Sequence, residues 1–309
     1  MNSIARVSVL LTLAGCFAVG CGPGIPGELI ATTEPFSRGL DQSADRLFWH
    51  GEEGIFSLPK GGGEPEQLAS GQRPMSLRVA GSDVCWMNRE GEWQVRCMPQ
   101  TGGEVRTLAT QAEDEFTVRP MATDGTNLYW STSARKIRRV ALAGGDAVDF
   151  SAVDAESASV AVTPEGEVFA SDQRGIVRLP GGGAEAVRIA GGAVVVPSGI
   201  ALSNPPDDFV YWTEIGISAR DGLVLRAPKA GGEVVLLARR QTLPSELVVD
   251  GQHVWWATGG GTDRIRRIGT NGGREEDFAH GGNQVGTPVV DGENVFWIDP
   301  DGNVHRAAK

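Results

Sequence analysis

The side chains that could carry acid–base or metal chemistry are spread thinly through this sequence of 309 residues. The four histidines lie in separate parts of the chain, at His50, His253, His280 and His305. No two of them have the short spacing of a metal-binding pair. Residues 299–303 carry carboxylates at calcium-like spacing but lack the rest of a calcium loop, so they predict a turn. We therefore predict no catalytic residue, no bound metal and no cofactor.

Charged side chains between apolar stretches are better candidates for binding. They are Arg73, Arg89, Arg119, Arg135, Asp172, Glu214, Arg220, Asp263 and Asp299. Two of the segments that carry them, residues 111–120 and 214–222, are longer than the equivalent segments elsewhere in the chain. Long loops on a rigid scaffold are where binding residues usually lie. Whether these side chains form one site depends on the elements that position them.

An aromatic pair recurs along the chain and identifies those elements. Its seven copies are Phe48-Trp49, Cys85-Trp86, Tyr129-Trp130, Phe169-Ala170, Tyr211-Trp212, Trp255-Trp256 and Phe296-Trp297. Successive copies are 37 to 44 residues apart. Self-similarity at this period predicts either the blades of a β-propeller or a solenoid.

The third copy shows that one repeat consists of four short strands. Residues 121–123, 127–131, 136–141 and 147–150 alternate in polarity or are rich in strand-forming residues. Turn signals separate them, among them Asp124-Gly125 and Gly144-Gly145. A helical reading fails because no uninterrupted window has a 3.6-residue period. We predict an all-β, seven-bladed β-propeller of four-stranded antiparallel blades over residues 28–309.

The last repeat ends after its third strand, so one strand of the ring is missing. Residues 28–32 are strand-like and precede the first full repeat. We predict that this N-terminal strand completes the final blade and protects an otherwise open edge. The alternative is that residues 28–32 are extended linker, which would leave a three-stranded last blade.

In such a ring, the loops that enter the innermost strands and the loops between the second and third strands gather on one face. We call this the top face. All nine charged candidates named above are predicted to lie on it, around the ring axis. This arrangement predicts a binding surface on the top face and does not single out one residue.

The chain is acidic, with a formal net charge of −11. This charge argues against nucleic acid and against electrostatic docking on anionic lipid. Its simplest interpretation is the solvated surface of a soluble protein, which we predict to be a monomer.

The N-terminus has the features of a secretory signal. A short charged segment precedes an apolar run over residues 7–19, which is too short to span a bilayer. The run contains Leu13-Ala14-Gly15-Cys16, which resembles the lipobox of bacterial lipoproteins. The resemblance implies a signal over residues 1–15, a lipid on Cys16 and a tether over residues 16–27. It also implies an outer-membrane lipoprotein of the bacterial envelope, facing the periplasm or the exterior and attached to the membrane through its lipid alone.

The cysteines leave one alternative open. Cys85 and Cys97 are predicted to lie directly opposite each other in adjacent strands, where an oxidising compartment would join them in a disulfide. The alternative is a pair of free, buried thiols. If they are bonded, lipidation of Cys16 leaves Cys21 unpaired, whereas lipidation at the poorer motif before Cys21 removes Cys16 with the signal. The sequence before Cys16 is the better match to a lipobox and favours lipidation there. Lipidation of Cys21 would leave no unpaired cysteine in the mature chain, which favours Cys21.

The repeat is similar to that of bacterial exported propellers related to the YWTD group of the low-density lipoprotein receptor. Tyr211-Trp212-Thr213-Glu214 comes closest to the group's signature, and the resemblance covers residues 28–309. YWTD propellers usually have six blades, whereas seven are predicted here. The virginiamycin B lyase type has seven, but its catalytic His and Glu set does not match these histidines.

Besides an assembly factor bound to an outer-membrane machine, two functions stay open. The first is a lipid-anchored, non-catalytic binding or scaffold module for a protein or glycan at the cell envelope. The alternative is a propeller lyase or hydrolase with its site at the ring axis. Fold-level resemblance does not decide between them.

Overall fold

A computed structural model describes residues 27–35, 37–52, 54–111, 119–156, 158–182, 184–191, 197–203, 206–260, 264–280 and 285–309. Within these ranges 28 strands form seven four-stranded antiparallel sheets, arranged as blades around an axis. None of the described residues belongs to a helix, so none forms a helix long and apolar enough to cross a membrane. The predicted seven-bladed propeller is confirmed. The signal, Cys16, Cys21 and the tether up to residue 26 lie outside the described residues.

The strands follow one another in chain order from the axis to the rim of each blade. The first strand, β1 (Glu28–Thr32), belongs to the last blade. Blades 1 and 2 contain β2 (Arg38–Gln42), β3 (Arg46–His50), β4 (Gly54–Pro59) and β5 (Glu66–Ser70), then β6 (Pro74–Ala80), β7 (Asp83–Glu90), β8 (Glu92–Pro99) and β9 (Arg106–Gln111). Blades 3 and 4 contain β10 (Ala122–Thr123), β11 (Asn127–Ser131), β12 (Lys136–Ala141) and β13 (Val148–Ala152), then β14 (Val160–Val162), β15 (Val168–Asp172), β16 (Gly175–Leu179) and β17 (Val187–Gly191).

Blades 5 to 7 repeat this arrangement. Blade 5 contains β18 (Pro197–Leu202), β19 (Phe209–Glu214), β20 (Gly222–Pro228) and β21 (Val235–Gln241). Blade 6 contains β22 (Leu247–Val249), β23 (His253–Ala257), β24 (Arg264–Gly269) and β25 (Glu276–His280). Blade 7 contains β26 (Val289–Val290), β27 (Asn294–Ile298) and β28 (Asn303–Ala308), and its fourth strand is β1.

The two ends of the described chain close the ring. Strand β1 pairs antiparallel with β28, with Leu29 opposite His305 and Thr32 opposite Asn303. An ion pair of 2.6 Å between Arg306 and Glu28 adds to the ladder. The prediction that the N-terminal strand completes the last blade is confirmed, and the linker alternative is wrong.

The aromatic pairs form the interfaces between blades. The first member of each pair packs with the second member of the pair in the next blade, as Phe48 does with Trp86 and Tyr211 with Trp256. The same relationship joins Phe296 of blade 7 to Trp49 of blade 1, so it runs around the whole ring. Each interface thereby buries large aromatic side chains, which contribute most to core stability.

The interface between blades 3 and 4 lacks the tryptophan of this pattern, because Ala170 stands in its place. Tyr129 of blade 3 packs there against Phe150, edge to face at 5.5 Å. The space is further filled by Val153 and Ala155, which come from the connection that enters blade 4. This interface therefore lacks the buried indole that the other six contain.

The predicted disulfide joins Cys85 of β7 to Cys97 of β8. The two residues are direct partners across the antiparallel pair, as the hairpin spacing predicts. Both are fully buried in the interface between blades 2 and 3. The alternative of two free thiols is therefore wrong.

Candidate functional site

The inner strands of the seven blades surround a central channel that encloses about 790 Å³. This volume lies within the range of small-molecule pockets, roughly 300–1,000 Å³. Apolar residues such as Leu77, Ile200 and Val248 line much of the channel, together with a smaller number of charged ones. Those charged side chains are the first place to look for a site.

Glu246 lies on the wall of the channel, immediately before β22. It is half-buried, and burial raises the pKa of its carboxyl above the ordinary value, although the charges of Arg78 and Arg119 oppose this. The backbone of Gly199 in blade 5 lies directly against it, since a Cβ at Gly199 would be 2.5 Å from the Cα of Glu246. A glycine is needed at position 199 for the two strands to approach this closely.

Two arginines reach into the same space from blades 2 and 3. Arg119 donates from Nη1 to the carbonyl oxygen of Ser198 at 2.7 Å, so its side chain extends from blade 3 to blade 5. Arg78 donates from Nε to the carbonyl oxygen of Met121 at 2.8 Å and from Nη1 to Asp41 at 3.4 Å. These bonds hold both guanidinium groups in fixed positions on the wall.

His50 lies at the end of β3 and also lines the channel. It is buried, and this burial is the main reason that its pKa is lowered to about 4, with a smaller contribution from the charge of Arg38. The imidazole is therefore neutral at pH 7. Among the residues that the structure describes, no group of three or more His, Cys, Asp or Glu side chains is placed to hold a metal ion.

Of the nine charged side chains singled out in the sequence, Arg119 and Asp299 line the channel. Asp299 accepts hydrogen bonds from His305 Nε2 at 2.9 Å and from Asn303. Burial alone would raise the pKa of Asp299, but these hydrogen bonds outweigh it and hold the pKa below its ordinary value. Asp299 thus organises its own turn, which agrees with the predicted turn over residues 299–303.

Arg135 and Asp172 lie at a second cleft, of about 730 Å³, beside blades 3 and 4. Arg135 pairs with Asp154 at 3.3 Å. Asp172 is buried and accepts two bonds from Arg188, at 3.0 and 2.5 Å. The charges of Arg135 and Asp172 are therefore balanced by ion pairs with other residues of the chain.

Three further candidates have local roles. Glu214 is buried and accepts a hydrogen bond from Trp212 Nε1 at 3.0 Å, and burial raises its pKa. Arg89 is exposed, with its guanidinium 5.6 Å from the ring centre of Trp93. Arg73 is exposed, and its backbone N–H donates to Asn88 at 2.8 Å. Asp263 lies outside the described residues.

The ninth candidate, Arg220, lies on the long hairpin between β19 and β20. This hairpin touches the connection between blades 5 and 6, where the N–H of Leu243 donates to the carbonyl oxygen of Ala219 at 3.2 Å. Large apolar side chains are exposed on both segments. Together with the arginines beside them they define what we call the blade 5–6 patch, formed by Ile215, Ile217, Arg220, Arg240 and Leu243.

Sequence reasoning missed Glu246, Arg78 and His50. A signal for Glu246 was present, because Pro244-Ser245-Glu246 repeats Pro197-Ser198-Gly199 with a carboxylate in place of the glycine. For Arg78 and His50 the sequence offers no comparable sign, since their place at the axis follows from the closure of the ring.

Comparison with known proteins agrees on the fold. No protein-family model and no curated protein sequence matches the chain. A component of a mitotic checkpoint complex is 12% identical with a TM-score of 0.73, over 96% of this chain and 99% of that one. A component of a nidogen/laminin complex is 16% identical with a TM-score of 0.58, over 76% of this chain and 93% of that one.

A third similar structure is an extracellular domain from B. thetaiotaomicron. It is 12% identical with a TM-score of 0.67, over 91% of this chain and 39% of that one. At these identities the comparisons establish the β-propeller fold alone. The likeness to YWTD propellers stays a resemblance of sequence motifs.

Proposed function

We propose that this chain is a binding module that docks a protein partner at the cell envelope through the blade 5–6 patch. The observation that carries the proposal is the exposure of Ile217, which leaves 92% of that residue in contact with solvent. Ile215 and Leu243 are 36% and 37% exposed. Clustered apolar side chains rimmed by polar ones are typical of interaction sites, whereas single exposed apolar residues are not.

The hairpin that presents Ile217 is internally bonded. Ser218 Oγ donates to Asp221 Oδ2 at 2.7 Å, and the N–H of Asp221 donates to the carbonyl oxygen of Ser218 at 3.2 Å. Leu243 ties the hairpin to the neighbouring connection. A binding loop that is already ordered loses less conformational entropy when it docks, so more of the contact energy is available for affinity.

Backbone conformation gives a second line of support. The described residues contain three non-glycine residues with positive φ, and two of them are Arg240 (57°) and Leu243 (41°). Such conformations cost about 1–3 kcal/mol and are enriched at ligand clamps and binding sites. The strained connection therefore coincides with the exposed apolar side chains.

The charge of the patch indicates what kind of partner fits. Arg220 and Arg240 are exposed, and neither guanidinium forms an ion pair or hydrogen bond with any described residue. The chain as a whole carries a net charge of −11, so a locally basic patch stands out from it. A protein segment with an apolar residue flanked by carboxylates would match both features. Aliphatic side chains also favour a protein over a glycan, which presents mainly hydroxyl groups.

The comparisons support a protein partner in a limited way. Two of the similar structures come from multiprotein assemblies, the nidogen/laminin complex and the mitotic checkpoint complex. Their propellers share the fold of this chain at low identity. They support the use of the fold as a docking scaffold and carry no residue-level argument.

Attachment to the outer membrane through a lipid on Cys16, with Cys21 as the alternative, belongs to the same proposal. It is supported by the lipobox-like sequence, by the Cys85–Cys97 disulfide, which fits an oxidising compartment, and by the similarity to an extracellular domain. Metabolic labelling with a palmitate analogue tests it. Cys16→Ser should abolish the label and Cys21→Ser should keep it, and the reverse result would assign the lipid to Cys21.

Co-purification from cells tests the docking site. The full chain, Ile217→Asp and Val148→Asp are isolated under identical conditions and their associated proteins compared. Val148 is an exposed apolar residue of blade 3, far from the patch in the ring, so it is a matched control. A partner lost with Ile217→Asp and kept with Val148→Asp supports the proposal. A partner retained by both variants contradicts it.

A second candidate function is a lyase or hydrolase that acts in the channel. The carboxyl of Glu246 favours it, because a carboxyl whose pKa is raised by burial suits a general acid or base. Turnover of glycan and lactone substrates by the purified chain, abolished by Glu246→Gln, would establish this activity.

A further inference from the structure

The channel contains a ring of polar residues that the docking surface does not use. Strand pairing aligns Leu77, Val160 and Leu247 at equivalent positions of blades 2, 4 and 6. The residues before them are Ser76, Ser159 and Glu246, which therefore lie at one level of the channel wall. Ser159 donates its hydroxyl to the carbonyl oxygen of Ser198 at 3.0 Å, and the hydroxyl of Ser76 is enclosed by the protein, so Glu246 is the charged residue that this level adds to the channel lining.

The charges in this space come from opposite walls. In a ring of seven blades, the two blades across the axis from blade 6 are blades 2 and 3. Glu246 belongs to blade 6, Arg78 to blade 2 and Arg119 to blade 3. Arg78 is two residues beyond Ser76 in its strand, which places it about 7 Å deeper at the usual rise per residue.

Two of these groups have hydrogen-bonding capacity left over. Within the described residues, the carboxylate of Glu246 accepts no hydrogen bond and Nη2 of Arg78 donates none. A carboxylate and a guanidinium are strong hydrogen-bonding groups, and each costs stability when it is left unpaired away from bulk water. Their convergence in one cavity is the feature that requires a ligand.

We propose that the central channel binds a small organic acid with an amino or hydroxyl group next to its carboxylate, that is, an α-amino or α-hydroxy acid. Arg78 receives the ligand carboxylate through its unused N–H donors. Glu246 accepts hydrogen bonds from the ligand's ammonium or hydroxyl group.

The channel encloses about 790 Å³, which is enough room for such a ligand. Its wall is closely packed at the level of Glu246, because Gly199 lies against the backbone of Glu246 and a Cβ at Gly39 would lie 2.7 Å from the imidazole of His50. Arg119 is held by the Ser198 carbonyl and adds positive potential to the channel without needing to move. A neutral His50 adds no competing charge at pH 7.

Calorimetric titration of the purified full chain tests this site. The probes are alanine and lactate, each with both functional groups, and propionate and ethylamine, each with one. Saturable binding of alanine or lactate, at least about tenfold tighter than binding of propionate and ethylamine, is expected. Whichever of alanine and lactate binds more tightly shows whether the ligand is an α-amino acid or an α-hydroxy acid.

The isosteric change Glu246→Gln should weaken binding of the preferred acid by about tenfold or more, and Asp301→Asn, on an exposed turn, should leave it unchanged. Thermal unfolding of each variant shows that it is folded. The proposal is overturned if neither acid binds saturably up to about 1 mM, or if folded Glu246→Gln binds as tightly as the unaltered chain. These outcomes are independent of the protein partner and leave the docking proposal untouched.

Discussion

Trp255 donates a hydrogen bond from its indole Nε1 to Oδ2 of Asp250 at 3.0 Å. The other oxygen of Asp250 accepts the backbone N–H groups of Gln252 and His253, at 3.0 and 2.8 Å. One carboxylate therefore holds the turn between β22 and β23 and orients a tryptophan of the interface between blades 6 and 7. In blade 3 the hydroxyl of Tyr129 reaches Asp124 in the same way, at 2.9 Å.

Replacing Asp250 by Ala should therefore lower the free energy of unfolding by about 2–3 kcal/mol, because it removes the turn bonds and leaves a buried indole N–H unpaired. The lost ion pair with Lys309 adds to the effect. Urea unfolding measures the change. Asp301→Ala, at an exposed position, is the control and should differ from the unaltered chain by less than about 0.5 kcal/mol. A similar value for Asp250→Ala would show that this carboxylate has no structural role.

The free energy of unfolding should fall as the pH drops from 6.5 toward 4, because His50 is harder to protonate in the folded chain than in the unfolded chain. Its pKa is lowered from 6.5 to about 4 in the folded chain. In this window the unfolded chain takes up a proton on His50 and the folded chain does not, so protonation favours unfolding. The full effect is roughly 3 kcal/mol. The pKa of Asp124 is lowered from 3.8 to about 2, so its contribution to stability is lost only below about pH 4. The pH ranges over which His50 and Asp124 affect stability are therefore separate.

Unfolding by urea at a series of pH values measures this dependence. His50→Gln should flatten the curve between pH 6.5 and 4 and leave the loss at lower pH in place. An equally steep curve for the variant would assign the dependence to other groups.

Gly199→Ala should destabilise the chain by about 1–3 kcal/mol, because its Cβ would meet the backbone of Glu246 and one strand must shift. Gly191→Ala is the matched control, since a Cβ there meets nothing within 4 Å. Thermal unfolding of both variants makes the comparison. Equal midpoints would mean that the inner strands of blades 5 and 6 are less tightly apposed than described.

Reduction of the disulfide should lower stability by up to about 3 kcal/mol, given a separation of 12 residues between Cys85 and Cys97. The double variant Cys85→Ala, Cys97→Ala should unfold at the same urea concentration with and without reductant. The unaltered chain should shift to lower urea when the reductant is present. No shift in the unaltered chain would indicate that the cysteines are not bonded in the purified protein.

The sequence was sufficient for the fold because the same physical unit recurs. Each aromatic pair contributes to two interfaces, as Tyr211 and Trp212 do, so its spacing reports the blade length directly. The site was harder to predict because ring closure brings together residues of blades 2, 3 and 6. Asp172 and Glu214 were plausible binding residues by type and position. They are instead bonded to Arg188 and Trp212, and the sequence gives no indication of these partners.

Photo-crosslinking in cells tests the docking surface most directly. A photoreactive amino acid is placed at Ala219, an exposed residue of the same hairpin as Ile217, and at Val148 on blade 3 in a separate experiment. We predict a discrete adduct with one protein from position 219, absent from position 148 and lost when Ile217→Asp is added. Adducts that form equally from both positions, or that survive Ile217→Asp, would contradict a docking site at the blade 5–6 patch.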